Sequence, residues 1–425
     1  MTDTIFALSS GPPPAAISVI RVSGPKAGTA LGSLAGSVPT ARQASVRALR
    51  DSRGDVLDHA LVLWFPGPKT ATGEDLAELH LHGGRAVVYA VEATLEAMGG
   101  LRRAQPGEFT RRAFANGRID LAEAEGLADL LSAETELQRR QAIALAGGAL
   151  SSTVTRLRDD VLRVSALVEA ALDFGDEDDV GSAPADLAQP LQALSDDLKV
   201  LLAAPRAEPL REGFRVVLAG PPNAGKSSLF NRLVEDEAAI IAPVAGTTRD
   251  VLTRPVALAG IPFLFADTAG LRDETDDSIE AIGIARAKGE LDRADLVLWL
   301  GPEGQGTGTR VWEIESFSDQ QRGSKREPRH RVSAVSGEGL EALRADLVSL
   351  AAAAMPAPGT VALNQRQRQL LTEADVSVHR ALSAGDLLMV AEELRIARGA
   401  FDRLLGHAAT EDMLDMLFGR FCIGK

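Results

Sequence analysis

The feature that most constrains the fold is a glycine-rich loop, GPPNAGKS at residues 220–227, which follows the apolar run FRVVLA. The loop satisfies the pattern G-x-x-x-x-G-K-[ST], and a helical pattern follows it. Glycines let the backbone wrap around phosphate oxygens, and the amides at the start of the next helix donate hydrogen bonds to them. The motif predicts a P-loop domain with a mostly parallel sheet that binds a nucleoside triphosphate.

Individual residues of this loop have separate predicted roles. The ammonium group of Lys226 would reach the β and γ phosphates, and the Ser227 hydroxyl would coordinate Mg²⁺. The loop positions that we also assign to nucleotide binding are Asn223, Ala224, Gly225 and Ser228.

Two further motifs indicate a GTPase-type switch. The apolar strand PFLFA leads into DTAG, where the Asp267 carboxylate would support the magnesium shell and the Gly270 amide would sense the γ-phosphate. GTTRD lies between the glycine-rich loop and DTAG, and its Thr248 would complete the magnesium coordination. Taken alone, these threonines would be a turn or a helix cap, but the order of the three motifs favours the switch. The nucleotide-binding set also includes Thr247, Thr268 and Ala269.

Base selection is predicted from a later strand, VWEIE, which leads into SFSD at residues 316–319. GTPases usually carry N/T-K-x-D there, and the aspartate accepts hydrogen bonds from guanine. Here Asp319 is in place, but Phe317 replaces the lysine, and an aromatic ring can cover a purine face. Ser333 and Ala334 resemble the supporting loop that follows. The alternative is that SFSD is only a loop; we predict guanine selectivity.

The rest of the chain shows two other sequence patterns, one β-rich and one helical. The first ~115 residues contain short β-rich runs such as AISVIRV and DLAELHLH between glycine and proline turns, which predicts an α+β fold. Leucine and alanine then recur at helical spacing from about residue 121 to 172, and residues 364–418 are helical again. A helical segment on each side of an α/β domain indicates that this domain is inserted into a helical one.

Composition limits the partners and the compartment. The net charge of −14 requires any nucleic-acid contact to come from a local basic patch. Two basic runs are candidates, although such runs are more often solvated faces. One cysteine cannot form an internal disulfide, and no apolar run reaches the roughly 18 residues that span a bilayer, so we expect a cytoplasmic protein without a membrane segment. The runs are Arg102, Arg103, Arg111, Arg112 and Arg118, and residues 321–331.

Several motifs together resemble the tRNA-modifying GTPase family MnmE, also called TrmE. They are GPPNAGKSSLFNRL, AGTTRD, DTAGLRDETDDSIEAIGIARA, PGEFTRRAFANGRIDLAEAEGLADLL and the terminal FCIGK, and the resemblance spans essentially the whole chain. It implies a multidomain α/β and α protein with a Ras-like G domain inserted in a helical domain. The implied limits are 1–117 for an N-terminal α+β folate-binding and dimerisation domain, 118–210 and 353–425 for the helical domain, and 211–352 for the G domain.

The resemblance also implies potassium-dependent hydrolysis. Leu271 follows DTAG, where many GTPases place a glutamine that orients water. In the family, G domains pair across a dimer, and K⁺ is held partly by the P-loop asparagine, here Asn223. Backbone carbonyls of the loop that contains Ala242, Val244 and Thr247 would complete the K⁺ cage. The family's water-orienting acid corresponds to Glu280; the alternative is an ordinary glutamate at a helix start.

The resemblance further implies a bound 5-formyl-tetrahydrofolate, with Arg21, Glu78, Arg118 and the terminal Lys425 at its site. Cys422 would be a functional thiol near the one-carbon unit, or else a small apolar residue that docks the tail. The implied partners are a second copy, the FAD-dependent MnmG (GidA) in a heterotetramer, and tRNA, whose wobble uridine is modified at C5. The rival function is a GTPase switch in ribosome or RNA assembly without base chemistry.

Overall fold

The computed structural model describes residues 3–173, 187–235, 252–267, 288–320, 325–357 and 361–424. The chain forms two compact units. The first comprises Met1–Ala128, Leu145–Arg163 and Arg395–Lys425, and the second comprises Asp129–Ala144 and Val164–Leu394. Each unit contains one mixed sheet together with helices, as the predicted multidomain fold class requires. Among the described residues, no helix has both the length and the apolar character needed to cross a bilayer.

The first unit is built on a six-stranded sheet in the order β3-β4-β5-β2-β1-β6. Only the β1–β6 pair is parallel. Side chains alternate along β5, so that Leu79 and Leu81 are buried while Glu78 lies on the opposite face. Helices α1 (Ala27–Ala35) and α2 (Arg85–Ala97) contribute Leu31 and Val91 to the same core. The strands are β1 (Thr4–Leu8), β2 (Ile17–Ser23), β3 (Ser45–Arg50), β4 (Val56–Phe65), β5 (Leu76–His82) and β6 (Leu101–Arg103).

The second unit contains a six-stranded sheet in the order β12-β11-β10-β7-β9-β8, in which only the β8–β9 pair is antiparallel. The central strands β7 and β10 are apolar except at Arg215, because both faces are largely buried. This arrangement confirms the predicted mostly parallel sheet. It also brings the carboxyl ends of β7, β9 and β11 to one edge, where α/β proteins bind ligands. The strands are β7 (Phe214–Ala219), β8 (Leu252–Leu258), β9 (Ile261–Asp267), β10 (Leu296–Trp299), β11 (Val311–Glu315) and β12 (His330–Arg331).

The remaining helices follow the leucine and alanine periodicity. An asparagine at the N-cap of α11 makes a reciprocal capping box, because the Asn364 side chain accepts from the Gln367 amide and the Gln367 side chain accepts from the Asn364 amide. The helices are α3 (Glu108–Ala115), α4 (Leu121–Ser132), α5 (Glu136–Ala146), α6 (Ala149–Asp173), α7 (Ala188–Leu202), α8 (Glu208–Glu212), α9 (Lys226–Glu235), α10 (Leu340–Ala354), α11 (Gln365–Ser383), α12 (Leu387–Leu405) and α13 (Glu411–Phe418).

The chain enters and leaves the region of the parallel sheet at one place. The Ala207 amide donates to the Leu363 carbonyl at 3.0 Å, and the Leu363 amide donates to the Pro205 carbonyl at 3.1 Å. Helices α7 and α11, which precede and follow these residues, pack against each other. The Arg368 guanidinium on α11 also donates to the carbonyls of Leu202 and Ala204. The residues between these two crossings therefore form an insertion into a helical pair.

Candidate functional site

The glycine-rich loop joins β7 to α9 at the carboxyl edge of the parallel sheet. Gly220 and Gly225 have φ values of +148° and +86°, and a Cβ on Gly220 would lie 3.0 Å from the Gly301 amide nitrogen. Both positions therefore need glycine. The Lys226 side chain is buried, and its Nζ donates to the carbonyls of Gly220 and Pro221 at 3.0 and 2.8 Å. The ammonium group thus lies within the curve of the loop, as a phosphate-binding lysine must.

The structure brings together two residues that the sequence assigns to the magnesium shell. Asp267 ends β9, beside β7, and is 1% exposed. The Ser227 Oγ, at the start of α9, donates to the Asp267 Oδ2 at 2.7 Å. A hydroxyl and a carboxylate are both hard oxygen ligands of the kind Mg²⁺ prefers, so this pair fits the predicted ion.

The SFSD loop lies directly against the phosphate loop. The Ser316 Oγ donates to the Ala224 carbonyl at 2.7 Å, and the Phe317 ring packs on Gly225. Asp319 is exposed in a short 3-10 turn after Phe317. The loop is therefore part of the nucleotide-loop assembly, which favours the base-binding interpretation over an unrelated surface loop.

The supporting loop after β12 is ordered by its own serine. The buried Ser333 hydroxyl accepts from the Val335 and Ser336 amides at 3.2 and 3.1 Å. Half-buried Ala334 lies between Ser333 and Val335 in the chain. The Ser318 amide donates to the Val332 carbonyl at 3.3 Å, which joins this loop to SFSD.

In the first unit, Arg21 and Glu78 face each other on neighbouring strands β2 and β5. The Arg21 Nε and Nη2 atoms donate to the Glu78 Oε1 at 3.1 and 2.9 Å, and both side chains are partly exposed. The Arg21 guanidinium also lies over the Phe109 ring, 5.8 Å from its centroid. A charged pair on an open sheet face offers both a donor and an acceptor to a polar ligand.

Arg118 lies on the loop after α3, and its guanidinium is held from one side. The Arg118 Nε donates to the Thr70 carbonyl at 3.1 Å. Gly73 has a φ of +77°, and a Cβ there would lie 3.2 Å from the Arg118 Cγ, so glycine allows the loop to approach the arginine stem. Arg118 as a whole is exposed.

The C-terminal tail seats against α3 and β1. Phe421 is buried with Phe418 and Leu121, and the Gly107 amide donates to the Cys422 carbonyl at 3.4 Å. A Cβ on Gly107 would lie 2.1 Å from the Phe418 carbonyl oxygen, which explains the glycine before α3. The Cys422 side chain is exposed while its backbone is fixed. Docking of the tail therefore depends on Phe421 and two glycines, the second being Gly424, and does not use the thiol.

In the part of the chain that the structure describes, the two basic runs do not form free cationic patches. Their described members are paired with carboxylates or buried, apart from Arg118, which bonds a carbonyl, and Arg326, which has no ion pair among the described residues. These contacts favour the solvated or paired alternative over a nucleic-acid patch. The pairs are Arg102 with Asp3 and Glu108, Arg103 with Glu92 and Glu96, Arg111 with Glu411 and Asp415, Arg112 with Asp3, Glu74 and Glu108, Lys325 with Glu313, Arg329 and His330 with Asp346, and Arg331 with Glu315.

One of these arginines forms a buried charge cluster that the sequence analysis missed. The Arg112 side chain is 0% exposed and donates to the carboxylates of Asp3, Glu74 and Glu108 at 2.9–3.3 Å. Burial raises the pKa of the Glu108 carboxyl, but hydrogen bonds from Arg102, the Gln105 amide and Arg112 outweigh it and hold that pKa below its ordinary value. The i,i+4 spacing of Glu108 and Arg112 was the available signal, but it predicts only a surface pair.

Nine predicted site residues lie outside the described residues. They are Ala242, Val244, Thr247, Thr248, Thr268, Ala269, Gly270, Glu280 and Lys425.

Comparison with known proteins gives matches over the whole chain. Residues 4–118 match the family model "GTP-binding protein TrmE N-terminus", and residues 121–422 match "MnmE helical domain". The tRNA modification GTPase MnmE of Novosphingobium aromaticivorans is 60% identical over 437 residues, and that of Erythrobacter litoralis is 61% identical over 424 residues, with 100% of each chain covered. The G domain of the T. maritima FeoB iron transporter is 24% identical with a TM-score of 0.24, covering 32% of this chain and 98% of that chain, a similarity too low to bear on function.

Proposed function

Because this chain belongs to the tRNA modification GTPase MnmE family, we propose that it is a potassium-dependent GTPase that acts with an FAD-dependent partner, MnmG (GidA), to modify C5 of the wobble uridine of tRNA. The modification adds an aminomethyl or carboxymethylaminomethyl group. The observation that carries GTP hydrolysis is the phosphate loop, where buried Lys226 and the Ser227–Asp267 pair meet at one sheet edge.

The loop residues suit phosphoryl transfer, in which positioning and charge stabilisation do most of the work. Lys226 already spans the loop carbonyls, so its ammonium group is directed at the space that phosphate oxygens would fill. Ser227 and Asp267 would hold Mg²⁺, which neutralises charge on the phosphates. Exposed Asp319 would accept hydrogen bonds from guanine, with Ser333 and Ala334 supporting the base.

The proposed potassium site uses an exposed part of the loop. Asn223 is exposed and has a φ of +61°, a conformation that asparagine tolerates better than most residues. Its side-chain oxygen is a suitable ligand for a hard monovalent cation, and carbonyls of Ala242, Val244 and Thr247 would supply further oxygens. The cation would stabilise charge that develops on the β and γ oxygens, and Glu280 would orient the attacking water.

Exchanging the monovalent cation tests this proposal. GTP turnover in potassium chloride is expected to exceed turnover in sodium chloride by about 10-fold or more, since loss of one preorganised charge contact typically costs that much or more. Asn223→Ala should remove most of the difference between the two salts while the variant still binds GDP in sodium. Equal turnover in the two salts, measured at matched ionic strength, would contradict the potassium site.

In the first unit, the proposed ligand is 5-formyl-tetrahydrofolate. The Arg21–Glu78 pair combines a cation for a glutamyl carboxylate with an acceptor for the amino edge of a pterin, and Arg118 adds an exposed guanidinium. The tail lies beside this region, because the Gly107 amide holds the Cys422 carbonyl and Phe109 contacts Arg21. Lys425 belongs to the same proposed site. We propose Cys422 as a functional thiol.

Binding of 5-formyl-tetrahydrofolate separates this function from a plain GTPase switch. Isothermal titration of the full chain is expected to show binding, and Glu78→Gln should weaken it roughly 10- to 100-fold, because a charge-assisted hydrogen bond is lost. His82→Gln is the matched control, since it lies on the same face of β5 and pairs with Asp58. Undetectable binding by the unsubstituted chain would favour the switch.

The assembly and domain limits are part of the same proposal. The chain would form a homodimer in the cytoplasm and a heterotetramer with MnmG. The proposed domains are 1–117, a helical domain made of 118–210 and 353–425, and a G domain at 211–352. Hydrogen bonding between Ala207 and Leu363 supports an inserted G domain, because it closes the insertion at its base.

A further inference from the structure

The residue that replaces the usual lysine of the base motif makes an unusual contact. Phe317 lies on the phosphate loop: a Cβ on Gly225 would be 3.1 Å from its Cζ and 3.3 Å from its Cε2. The ring therefore rests on the bare Cα of Gly225, the residue directly before the phosphate-binding lysine. The ring is half-buried, so part of it contacts the loop and part is open.

The backbone of Phe317 is held in a conformation that bulky side chains disfavour. Its φ is +60°, in the left-handed region. Neighbouring contacts keep it there. Buried Glu315 accepts from the Lys325 amide and the Arg331 guanidinium, and the Ser318 hydroxyl donates to Glu338. A strained residue that its surroundings hold in place is a recurrent property of ligand-binding sites.

Two contacts tie the base loop to the phosphate loop at successive positions. Ser316 bonds the Ala224 carbonyl at 2.7 Å, and Phe317 covers the next residue, Gly225. A lysine in place of Phe317 would bring a charge as well as a stem, whereas phenylalanine offers only a π face. Base stacking on an aromatic ring is nearly indifferent to the identity of the base.

We propose that Phe317 is the aromatic wall of the nucleoside site: it stacks on the purine while resting on Gly225, and it sets affinity without setting guanine selectivity. Selectivity then falls to Asp319, which accepts from the base edge. This inference rests on the proposed nucleotide binding. It assigns the two contributions, stacking and edge recognition, to two different residues of one loop.

Equilibrium titration with GDP and IDP separates these contributions, because hypoxanthine lacks the 2-amino group of guanine. Phe317→Ala is expected to weaken both nucleotides by the same factor, roughly tenfold, from the loss of base stacking. The ratio of the two dissociation constants should stay unchanged. Asp319→Ala should instead raise the ratio of the GDP dissociation constant to the IDP dissociation constant, because it weakens GDP binding more than IDP binding.

Three matched variants separate stacking from bulk and from backbone strain. Phe317→Tyr keeps the π face and should bind both nucleotides as the unsubstituted chain does, whereas Phe317→Leu keeps bulk over Gly225 but should lose affinity. Phe317→Gly relieves the positive φ and should still bind weakly. Melting temperatures without nucleotide show whether each variant folds. If Phe317→Ala does not fold, the comparison of Phe317→Tyr with Phe317→Leu decides whether the ring stacks on the base.

Three results would overturn the assignment. Phe317→Ala could bind GDP with unchanged affinity; it could bind GDP more tightly, meaning that the ring obstructs the base; or it could change the GDP-to-IDP ratio. In each of these cases the unsubstituted chain still binds GDP, so the proposed function survives. No binding of either nucleotide by the unsubstituted chain would overturn both proposals together.

Discussion

Lys226→Ala is expected to lower kcat/KM for GTP by at least about 100-fold, the usual effect of removing one preorganised group that stabilises transition-state charge. Lys226 is 6% exposed and is held by the carbonyls of Gly220 and Pro221, so its ammonium group reaches its working position without a search through rotamers. Phosphate release at saturating and subsaturating GTP measures the effect on kcat and KM separately.

Lys199→Ala is the matched control, because Lys199 belongs to the same unit but is half-exposed on α7 and pairs with Asp196. It should leave both constants unchanged. The melting temperature of the Lys226 variant should stay near that of the unsubstituted chain, since the hydrogen bonds from Lys226 to Gly220 and Pro221 join neighbouring parts of one loop. GTP turnover by Lys226→Ala at the unsubstituted rate would exclude this loop as the site of hydrolysis.

Arg112→Met is expected to lower the free energy of unfolding by about 3–5 kcal/mol, which is typical when one partner of a buried ion pair is removed. Methionine keeps part of the side-chain volume but removes the cation that pairs with Glu74 and leaves Glu108 paired with Arg102 alone. For a unit of this size, the melting temperature should fall by roughly 6–20 °C. Scanning calorimetry and urea unfolding followed by circular dichroism measure both quantities.

The neighbouring residue provides the control for this substitution. Arg111 also pairs with two carboxylates, but those of Glu411 and Asp415 are largely exposed. Solvent screens such pairs, so Arg111→Met should cost less than about 1 kcal/mol. An equal loss in the two variants would show that burial of the Arg112 cluster does not determine its contribution.

The Arg112 cluster also predicts how stability depends on pH. The pKa values of Asp3 and Glu108 both lie below their ordinary values, because hydrogen bonds from Arg102 and Arg112 outweigh the effect of burial, which raises them. A depressed carboxyl pKa contributes stability that is fully present above the unfolded pKa, 4.5 for Glu108, and is lost as the pH falls through the folded value. The difference between the unsubstituted chain and Arg112→Met should therefore be constant at neutral pH and shrink in acid.

The nucleotide site was predictable because its parts are local. A glycine loop of eight residues between a strand and a helix carries its own geometry, and the end of an apolar strand fixes where Asp267 must lie. The position of Phe317 after β11 was equally readable. Its positive φ and its contact with Gly225 were not, because they depend on how two loops from distant parts of the chain pack.

The first unit shows what sequence patterns miss. Arg21 and Glu78 are 57 residues apart, and only the register of β2 against β5 makes them partners. Consecutive Arg111 and Arg112 look equivalent in the sequence, yet one is partly exposed and the other is fully buried. A run of charged residues in the sequence does not predict which side chains are exposed, because tertiary packing determines their exposure. A resemblance supplied the functional assignment of these residues, and periodicity alone did not.

Hydrogen bonds between Ala207 and Leu363 and between Leu363 and Pro205 join the two chain crossings into one hydrogen-bonded connection. Two chain segments that are hydrogen-bonded to each other restrict bending more than one unpaired linker does. The inserted part of the chain is therefore attached through a single hinge. Helix α7 ends a few residues before this point and α11 begins just after it. A movement of the nucleotide-binding part would therefore act on both helices together, at the helix ends nearest to these hydrogen bonds.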